Sequence, residues 1–444
     1  MRHAAAAVSC VFLGATAFAQ VAVESPPYTE PSLPVLTPNE ADALRSEPPS
    51  STRASVPLES SARGPEVELN GRPVADTPRR FQYTLSATAR GVYDDNIYNS
   101  SINHVSDYYF TIEPAIFLGL GGGGSDSVNS LSLIYRPSLF LFLNNSQNDT
   151  VQHIIQLQAG HRFGHLSLSL SQDVQILDGT NLNSLTDPTG HQANTDVQGR
   201  NKHQIYNTQL SASYDLTGKL FLSGGAGFSA DEYQSLISSQ NYTGNLFINY
   251  VYSDKLTAGV GGTGGYNTTN PSINNQTFEQ ANVRLNYSAT AKISLNASGG
   301  VEFRQFGNNS GNNVSPVYEL AASYQPFDGT SLSLTGSRRT MNSASLAGQD
   351  FADTTINFSL TQRFMQRFFF GFAVGYTNSN YFSTVSGLSA TRNDNFYYID
   401  PSVDFNVTRF WTFGAYYVHR EDTSSFAFSS FKDNQVGIRT KLTF

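Results

Sequence analysis

Four histidines, His153, His161, His165 and His419, are the side chains most suited to acid-base chemistry in this sequence, and serine is abundant around them. A hydrolase needs a nucleophile, a base and an orienting group within hydrogen-bond reach of one another. No spacing in the chain forces such a set together. The glycine-rich run 259–262 lies inside a strand-like pattern and does not precede a helix, which argues against a nucleotide site. We therefore expect no enzymatic activity and no cofactor.

The acidic run Asp94-Asp95-Asn96 is the strongest candidate for metal binding. Its hard oxygen ligands suit Ca²⁺, but that ion needs six or more oxygens, and no EF-hand spacing follows the run. Aspartate and asparagine are also common turn residues, because their side chains bond to nearby backbone groups. The sequence favours the turn, and we predict no metal site.

The remaining charged groups of interest lie at the polar positions of segments that alternate between apolar and polar residues. The candidate lumen charges among them are Arg90, Glu113, Arg136, Asp173, Arg284, Glu302, Arg304, Arg363, Asp400, Asp404 and Arg439, together with Glu319, Arg339 and Lys441. Opposed rows of charge can create a transverse field in a pore and set its selectivity. They can equally pair as structural bridges across strands. Both interpretations stay open at this stage.

The elements that carry these charges are predicted to be β-strands. From Phe81 onward, Phe81, Tyr83 and Leu85 alternate with polar residues, and the same period of two recurs to the C-terminus. Each run spans roughly nine to thirteen residues, the length that a tilted strand needs to cross a membrane. Only 14% of the residues are charged, against roughly 25% in soluble domains. These properties predict a transmembrane, all-β, antiparallel up-and-down barrel.

Connection lengths give the strand number and the orientation. Short turns are predicted at 121–125, 163–164, 217–219, 253–255, 290–292, 327–330, 365–366 and 408–409. Longer loops are predicted at 94–107, 178–203, 267–276, 304–314, 339–352, 378–394 and 420–433. A hairpin-sized repeat of roughly 37 residues gives about eighteen strands, within a range of 16 to 18. Short turns are periplasmic in such barrels, so both termini are predicted to face the periplasm.

The longest of these loops, between Asp178 and Lys202, contains Gly179, Gly190 and Gly199. It could fold inward and narrow a channel. Its length alone slightly favours a mobile surface loop.

The first eighty residues are predicted to lie outside the barrel. Residues 1–19 have the charged start, the apolar core and the small-residue cleavage site of an export signal, with cleavage expected after Ala19. The only cysteine, Cys10, lies in that signal. Residues 20–80 are rich in proline and form a predicted disordered periplasmic linker, and residues 81–444 form the barrel. The net charge of −8 argues against nucleic acid as a partner.

A soluble β-sandwich would also alternate, but three features favour a membrane barrel. Aromatic residues lie near strand ends, as Tyr242 and Tyr250 do around Leu246, which is typical of interfacial girdles. The polar faces carry Ser, Thr, Asn and Gln where soluble sheets carry Lys and Glu. The C-terminal strand ends in Leu442 and Phe444, and this resembles the signal that hands outer-membrane barrels to their insertion machinery. We therefore expect the cell outer membrane as the location.

The first hairpin, residues 91–98 followed by residues 106–114, resembles the opening of the β-barrel porin 2 family. The likeness covers residues 81 to about 142, and that family is similar in turn to barrels encoded with exopolysaccharide assembly systems. The resemblance implies a porin-like channel for passive passage of small hydrophilic solutes. Two alternatives stay open. One is an export or assembly barrel for a secreted exopolysaccharide, with residues 20–80 docking a polysaccharide or a periplasmic partner, and the other is a structural or adhesive surface barrel.

Overall fold

The computed structural model describes residues 81–444 except 122–128, 181–195, 272–274, 308–310, 386 and 389. The predicted export signal and linker lie outside the described residues. The strands are β1 (Phe81–Asp94), β2 (Asp107–Gly121), β3 (Asn129–Phe142), β4 (Thr150–Phe163), β5 (Leu166–Thr180), β6 (Arg200–Asp215), β7 (Leu220–Tyr233), β8 (Ser238–Ser253), β9 (Leu256–Asn270), β10 (Gln276–Thr290), β11 (Ile293–Phe306), β12 (Asn312–Tyr324), β13 (Thr330–Asn342), β14 (Gln349–Phe364), β15 (Phe368–Ser383), β16 (Asn393–Asn406), β17 (Trp411–Ser424) and β18 (Phe431–Thr443). Among the described residues, two short 3₁₀ turns, Ser146–Asn148 and Ala427–Ser429, lie in connections.

The strands form one closed antiparallel barrel. Each strand pairs with its neighbours along the chain, and β18 pairs with β1 from Ser86 opposite Thr443 to Asp94 opposite Gln435. The sheet has 18 strands, which confirms the predicted fold class and strand number. Among the described residues, no helix is long and apolar enough to cross a membrane.

The outer surface of the barrel is apolar and the inner face is mostly polar. Outward side chains such as Leu246 and Val283 are 61% and 60% exposed, although a soluble protein would bury residues of this type. Exposed aromatic side chains lie near both ends of the strands, for example Tyr93 and Tyr108 at one end and Phe81 at the other. This arrangement confirms the aromatic girdles expected from the sequence.

On the inner face, aromatic rings lie over glycines of the neighbouring strand. Phe247 is paired with Gly261 in the ladder between β8 and β9, and Tyr416 is paired with Gly437 between β17 and β18. A Cβ atom on Gly261 would lie 2.6 Å from the Phe247 ring and 2.2 Å from the Leu246 carbonyl oxygen. Glycine therefore provides the space into which each ring packs, an arrangement known to stabilise sheets.

We predict that Gly261→Ala destabilises the barrel by about 1–3 kcal/mol, because the added carbon overlaps a backbone oxygen that cannot move freely. The measurement is the midpoint of urea-induced unfolding of the detergent-solubilised protein. Gly264→Ala on the same strand is the matched control, since its Cβ would have no neighbour nearer than 3.9 Å. Equal midpoints for the two variants would contradict the role of Gly261.

The eight predicted short turns each join the expected strands, although residues 122–125 of the first turn lie outside the described residues. The strands are longer than predicted, at 13 to 16 residues, because they extend past the apolar belt into the outer loops. The predicted loop 339–352 thus shortens to 343–348. Two outer connections, 143–149 and 234–237, were missed because they are too short to interrupt the alternation for long.

Prolines inside the strands interrupt the ladders, because proline has no backbone N–H to donate. The ladder between β2 and β3 is interrupted around Pro114 and Pro137 and then resumes. The ladder between β16 and β17 is likewise interrupted at Pro401 and resumes. Between β12 and β13 the ladder stops at Tyr318 and Arg338, two residues from Pro316, and does not resume.

Candidate functional site

The structure places every candidate lumen charge on the inner face of the barrel. The register and the alternation of exposure put Arg90, Glu113, Arg136, Asp173, Arg284, Glu302, Arg304, Arg363, Asp400, Asp404 and Arg439 opposite the apolar side chains of their strands. The period of two therefore predicted the direction of these side chains correctly.

Several of these charges are paired within the wall. Arg90 Nη2 lies 2.9 Å from Glu113 Oε2, and Arg304 Nε lies 2.8 Å from Glu302 Oε1. Arg439 Nε donates to Asp404 Oδ1 at 2.8 Å, and its Nη2 bonds the other carboxylate oxygen. Apart from Glu113, which is partly exposed, these side chains are buried. Their geometry supports the structural-bridge interpretation, since a buried charge has little access to a passing solute.

Other candidate charges are held by neutral partners. Asp173 accepts hydrogen bonds from Gln156 and Gln175, both at 2.9 Å. Arg284 donates to Asn249 Oδ1 at 2.6 Å, and its guanidinium lies 4.2 Å from the centre of the Phe247 ring. These contacts satisfy and orient the buried groups.

The last three candidate lumen charges are Asp400, Arg136 and Arg363. Asp400 interacts electrostatically with Arg439, Arg420 and Arg90 in the wall formed by β16, β17, β18 and β1. Arg136 and Arg363 are half-buried.

Water reaches the inner face mainly in the half that carries the short turns, which the sequence predicts to be periplasmic. Most inward residues exposed there are small or uncharged polar ones: Ser130, Gln158, Ser169, Ser171, Ser288, Ser323 and Thr335. Arg162 of β4 is a charged exception, and it pairs with Asp215 at 3.5 Å. Glu319 and Arg339, which interact with each other electrostatically, are the exposed charges on the inner faces of β12 and β13. The half of the barrel that carries the short turns is therefore a polar vestibule.

The outer half of the barrel is filled on one side by the connection between β1 and β2. Its Ile97 is buried in an apolar cluster inside the barrel, and Tyr98 and Val105 pack against that cluster. The inward side chains of the cluster are Val92, Tyr109, Phe140, Phe142, Tyr416 and Val418. Connecting segments normally lie on the surface, so this loop is an inward-folded element that narrows the lumen.

The acidic run at 94–96 makes hydrogen bonds that hold the inward-folded β1–β2 connection. Asp94 Oδ1 accepts the backbone N–H of Asn96 at 2.8 Å, which is the turn chemistry expected from the sequence. The Asp95 carboxylate accepts the backbone and side-chain N–H groups of Asn434, both at 2.7 Å. The Asp433 carboxylate lies close to both aspartates, and Arg420 Nη1 approaches it to 3.6 Å. The Asp94 contact confirms the predicted turn, and the prediction that the run holds no metal stays a prediction.

A second inward contact centres on Asp196, which precedes β6. Its buried carboxylate accepts hydrogen bonds from Ser343 Oγ (2.8 Å) and from the backbone N–H groups of Ala344 (2.7 Å) and Ser345 (3.0 Å). It also accepts from Tyr381 (3.0 Å) and Arg392 (3.1 Å). We call this set, Asp196 with Ser343, Ala344, Ser345, Tyr381 and Arg392, the mouth cluster.

The mouth cluster joins opposite sides of the barrel. β6 and β15 are nine positions apart in the closed order of 18 strands. Asp196 binds the β13–β14 connection, the outer end of β15 and the residue that precedes β16. The backbone N–H of Ile237, which follows β7, likewise donates to the Ala344 carbonyl at 2.9 Å. Residues 181–195 lie outside the described part of the predicted loop. For its described end, Asp196–Gly199, the favoured surface-loop interpretation is wrong, because Asp196 is docked across the mouth.

Sequence reasoning missed the mouth cluster. Asp196 and Arg392 lie in predicted loops, which have no periodicity from which a side-chain direction could be read. Reasoning from the strand pattern also missed Arg338, a cation on the outward face of β13. The outward direction of the Arg338 side chain could have been predicted, because Arg338 lies two residues beyond Gly336 and four beyond Leu334 in the apolar register.

No protein-family model matches the chain, and no curated protein matches its sequence. The resemblance to the β-barrel porin 2 family remains an expectation from the first hairpin. Among solved structures, the chain is similar to OccK1 (OpdK) of Pseudomonas aeruginosa at 10% identity, with a TM-score of 0.40, over 82% of this chain and 99% of that one. It is also similar to OccAB3 of Acinetobacter baumannii, at 8% identity and a TM-score of 0.42, over 82% and 100% of the two chains. OccK2 (OpdF) of Pseudomonas aeruginosa in complex with glucuronate has 9% identity and a TM-score of 0.42, over 82% and 98%.

Proposed function

We propose that the protein is a passive channel for small hydrophilic solutes in the bacterial outer membrane. One observation carries this proposal: a closed barrel of 18 strands whose inner face exposes serine, threonine and glutamine side chains to water in its periplasmic half. Barrels of 16 to 18 strands are wide enough for an aqueous lumen. A polar, uncharged lining lets small solutes pass without binding them tightly.

The location follows from the outer surface of the barrel. Burying its exposed leucine, valine and phenylalanine side chains requires a lipid environment, and the two aromatic girdles match the two membrane interfaces. We propose that Leu442 and Phe444 at the end of β18 address the chain to the barrel-insertion machinery. Phe444 exchanges backbone hydrogen bonds with Leu85, so this terminus lies at the closing seam.

The narrowing of the outer half favours small solutes over polymers. The β1–β2 connection and the mouth cluster both reach across or into the lumen, and a polysaccharide chain would have to displace them. Because these loops fold inward, less of their surface is exposed for adhesion. Glu319 and Arg339 are the accessible charges of β12 and β13, and they offer one group of each sign to a passing solute.

Planar-bilayer recording tests the proposal. We expect the mature chain to give discrete conductance steps, and we expect Glu319→Gln to shift the cation-to-anion permeability ratio towards anions and Arg339→Gln to shift it towards cations. Asp173→Asn is the control, because Asp173 is buried and bonded to Gln156 and Gln175. Recording the chain with and without residues 20–80 shows whether the linker affects the current. Folded protein that gives no steps at any voltage or salt concentration would contradict the channel.

A further inference from the structure

The seam between β12 and β13 is open in its outer half. The ladder ends at Tyr318 and Arg338, and among the described residues no ladder pair joins 312–317 of β12 to 339–342 of β13. The same residues of β12 remain paired with β11, and those of β13 remain paired with β14. Each strand therefore keeps its pairing on its other side, and only the pairing between β12 and β13 is lost.

The cause is an inward turn of the β13–β14 hairpin. Asp350 and Ala352 lie on the face of β14 that carries Ile356, which is 52% exposed, yet they are only 2% and 7% exposed. Asp350 interacts with Arg304 and Gln276 on the inner faces of β11 and β10. The outer half of the hairpin thus lies inside the barrel, where Asp350 on its outward face meets the inner faces of β10 and β11, and the β12 edge loses its partner.

The opening lies at the outer margin of the apolar belt, where Glu279 of β10 faces outward opposite Phe303 of β11. Val314 on the β12 edge is 60% exposed, and its neighbours on β11, Val301 and Phe303, are also exposed on the outer surface. An unpaired backbone group in lipid costs several kcal/mol and is tolerated only where it borders water or protein. Pro316 removes one donor from this edge. The remaining edge groups must therefore border water, protein or a ligand.

The rim of the opening has an apolar side and a cationic base. Val314, Pro316 and Tyr318 are exposed on the β12 side. Arg338 lies at the base, where its Nη1 donates to Thr354 Oγ1 at 2.5 Å, while its buried Nε has no hydrogen-bond partner among the described residues. A cation on the outward face of a barrel is unfavourable in lipid alone. It suits a molecule that has an apolar body and an anionic head.

We propose that the opening between β12 and β13 is a lateral portal, through which amphipathic anions pass between the outer leaflet and the polar vestibule. Behind it lie Glu319 and Arg339, the accessible charges of β12 and β13. The mouth cluster narrows the axial route, so the portal gives such molecules a path around it. This inference rests on the proposed channel, because the portal opens into the same lumen.

A reversible cross-link tests the portal. Continuing the register of the ladder places Val314 opposite Asn342. We would introduce Val314→Cys and Asn342→Cys in the mature chain and join them with a cleavable bis-maleimide. The predicted removal of Cys10 leaves no other thiol. The probes are anilinonaphthalene sulfonate, detected by albumin trapped in proteoliposomes, and arabinose, detected by liposome swelling.

We expect the cross-link to slow entry of the sulfonate by about fivefold or more, and cleavage of the linker to restore it, while arabinose entry changes by less than about twofold. The matched control is the pair Ala281→Cys and Val301→Cys, which face each other outward across the closed seam between β10 and β11. Cross-linking there should leave both rates unchanged. Arg338→Gln without any cross-link should slow the sulfonate alone.

The outcomes separate the two proposals. If the protein without the cross-link admits arabinose but not the sulfonate, or if the cross-link leaves sulfonate entry unchanged, the portal is overturned and the channel stands. Equal slowing of both probes also overturns the portal, because it shows a single route. If neither probe enters, the channel itself is contradicted and the portal with it.

Discussion

Replacing Asp196 with alanine should widen the channel mouth and raise the single-channel conductance, with larger fluctuations of the open current. The substitution removes the acceptor that binds Ser343, Ala344, Tyr381 and Arg392 at once. Removing one partner of a buried ion pair typically costs about 3–5 kcal/mol. That loss is enough to release the docked end of the β5–β6 connection from the opposite wall.

Two variants separate docking from simple electrostatics. Asp95→Ala also removes one negative charge near the outer rim. Its carboxylate binds Asn434 on β18 and not the opposite wall, so the mouth cluster stays docked. Arg392→Ala should reproduce the effect of Asp196→Ala, because Arg392 also binds Asp394 at 2.7 Å and anchors the receiving side. If the Asp95 and Asp196 variants changed the current equally, docking across the mouth would be the wrong explanation.

Replacing Arg439 with alanine should destabilise the barrel by about 3–5 kcal/mol, because Asp404 would keep a buried charge without its bidentate partner. The readout is built into the chain. Trp411, the only tryptophan, lies on β17. Its indole N–H donates to Thr440 Oγ1 at 2.7 Å, and Thr440 follows Arg439 on β18. Its fluorescence during urea titration in detergent micelles reports the unfolding of this part of the wall.

The double variant Arg439→Met with Asp404→Leu is the informative comparison. Replacing a whole buried ion pair by apolar groups of similar volume is often neutral for stability. We therefore expect the double variant to unfold at a higher urea concentration than Arg439→Ala. A double variant that is less stable than the single one would show that the pair itself holds β16, β17 and β18 together.

The fold could be predicted well because a barrel wall obeys one local rule. Residues such as Leu246 and Arg284 point to opposite faces for a reason visible within their own strands, namely the period of two. Turn positions such as 365–366 followed from the same pattern. Strand ends could not be placed as well, because the polar overhang beyond the apolar belt has the composition of a loop.

The narrowing of the lumen could not be predicted for a different physical reason. Asp196 and Arg392 meet across the barrel although 196 residues separate them, and no local periodicity encodes such a contact. Likewise, whether Arg90 would face water or pair with Glu113 depended on how the inward loops covered the wall. Pro316 was a usable signal for the open seam, but Pro114, Pro137 and Pro401 show that proline alone interrupts a ladder without separating the strands.

The closing seam has a consequence for how the chain assembles. Every other seam joins consecutive hairpin partners, whereas Gln435 bonds Asp94 across 341 residues. Contacts so distant in sequence form slowly. The two terminal strands, β1 and β18, therefore each keep one unpaired edge while the intermediate hairpins assemble. Exposed edges invite aggregation. Folding intermediates of this protein should therefore depend on a chaperone that shields β1 and β18 until they meet.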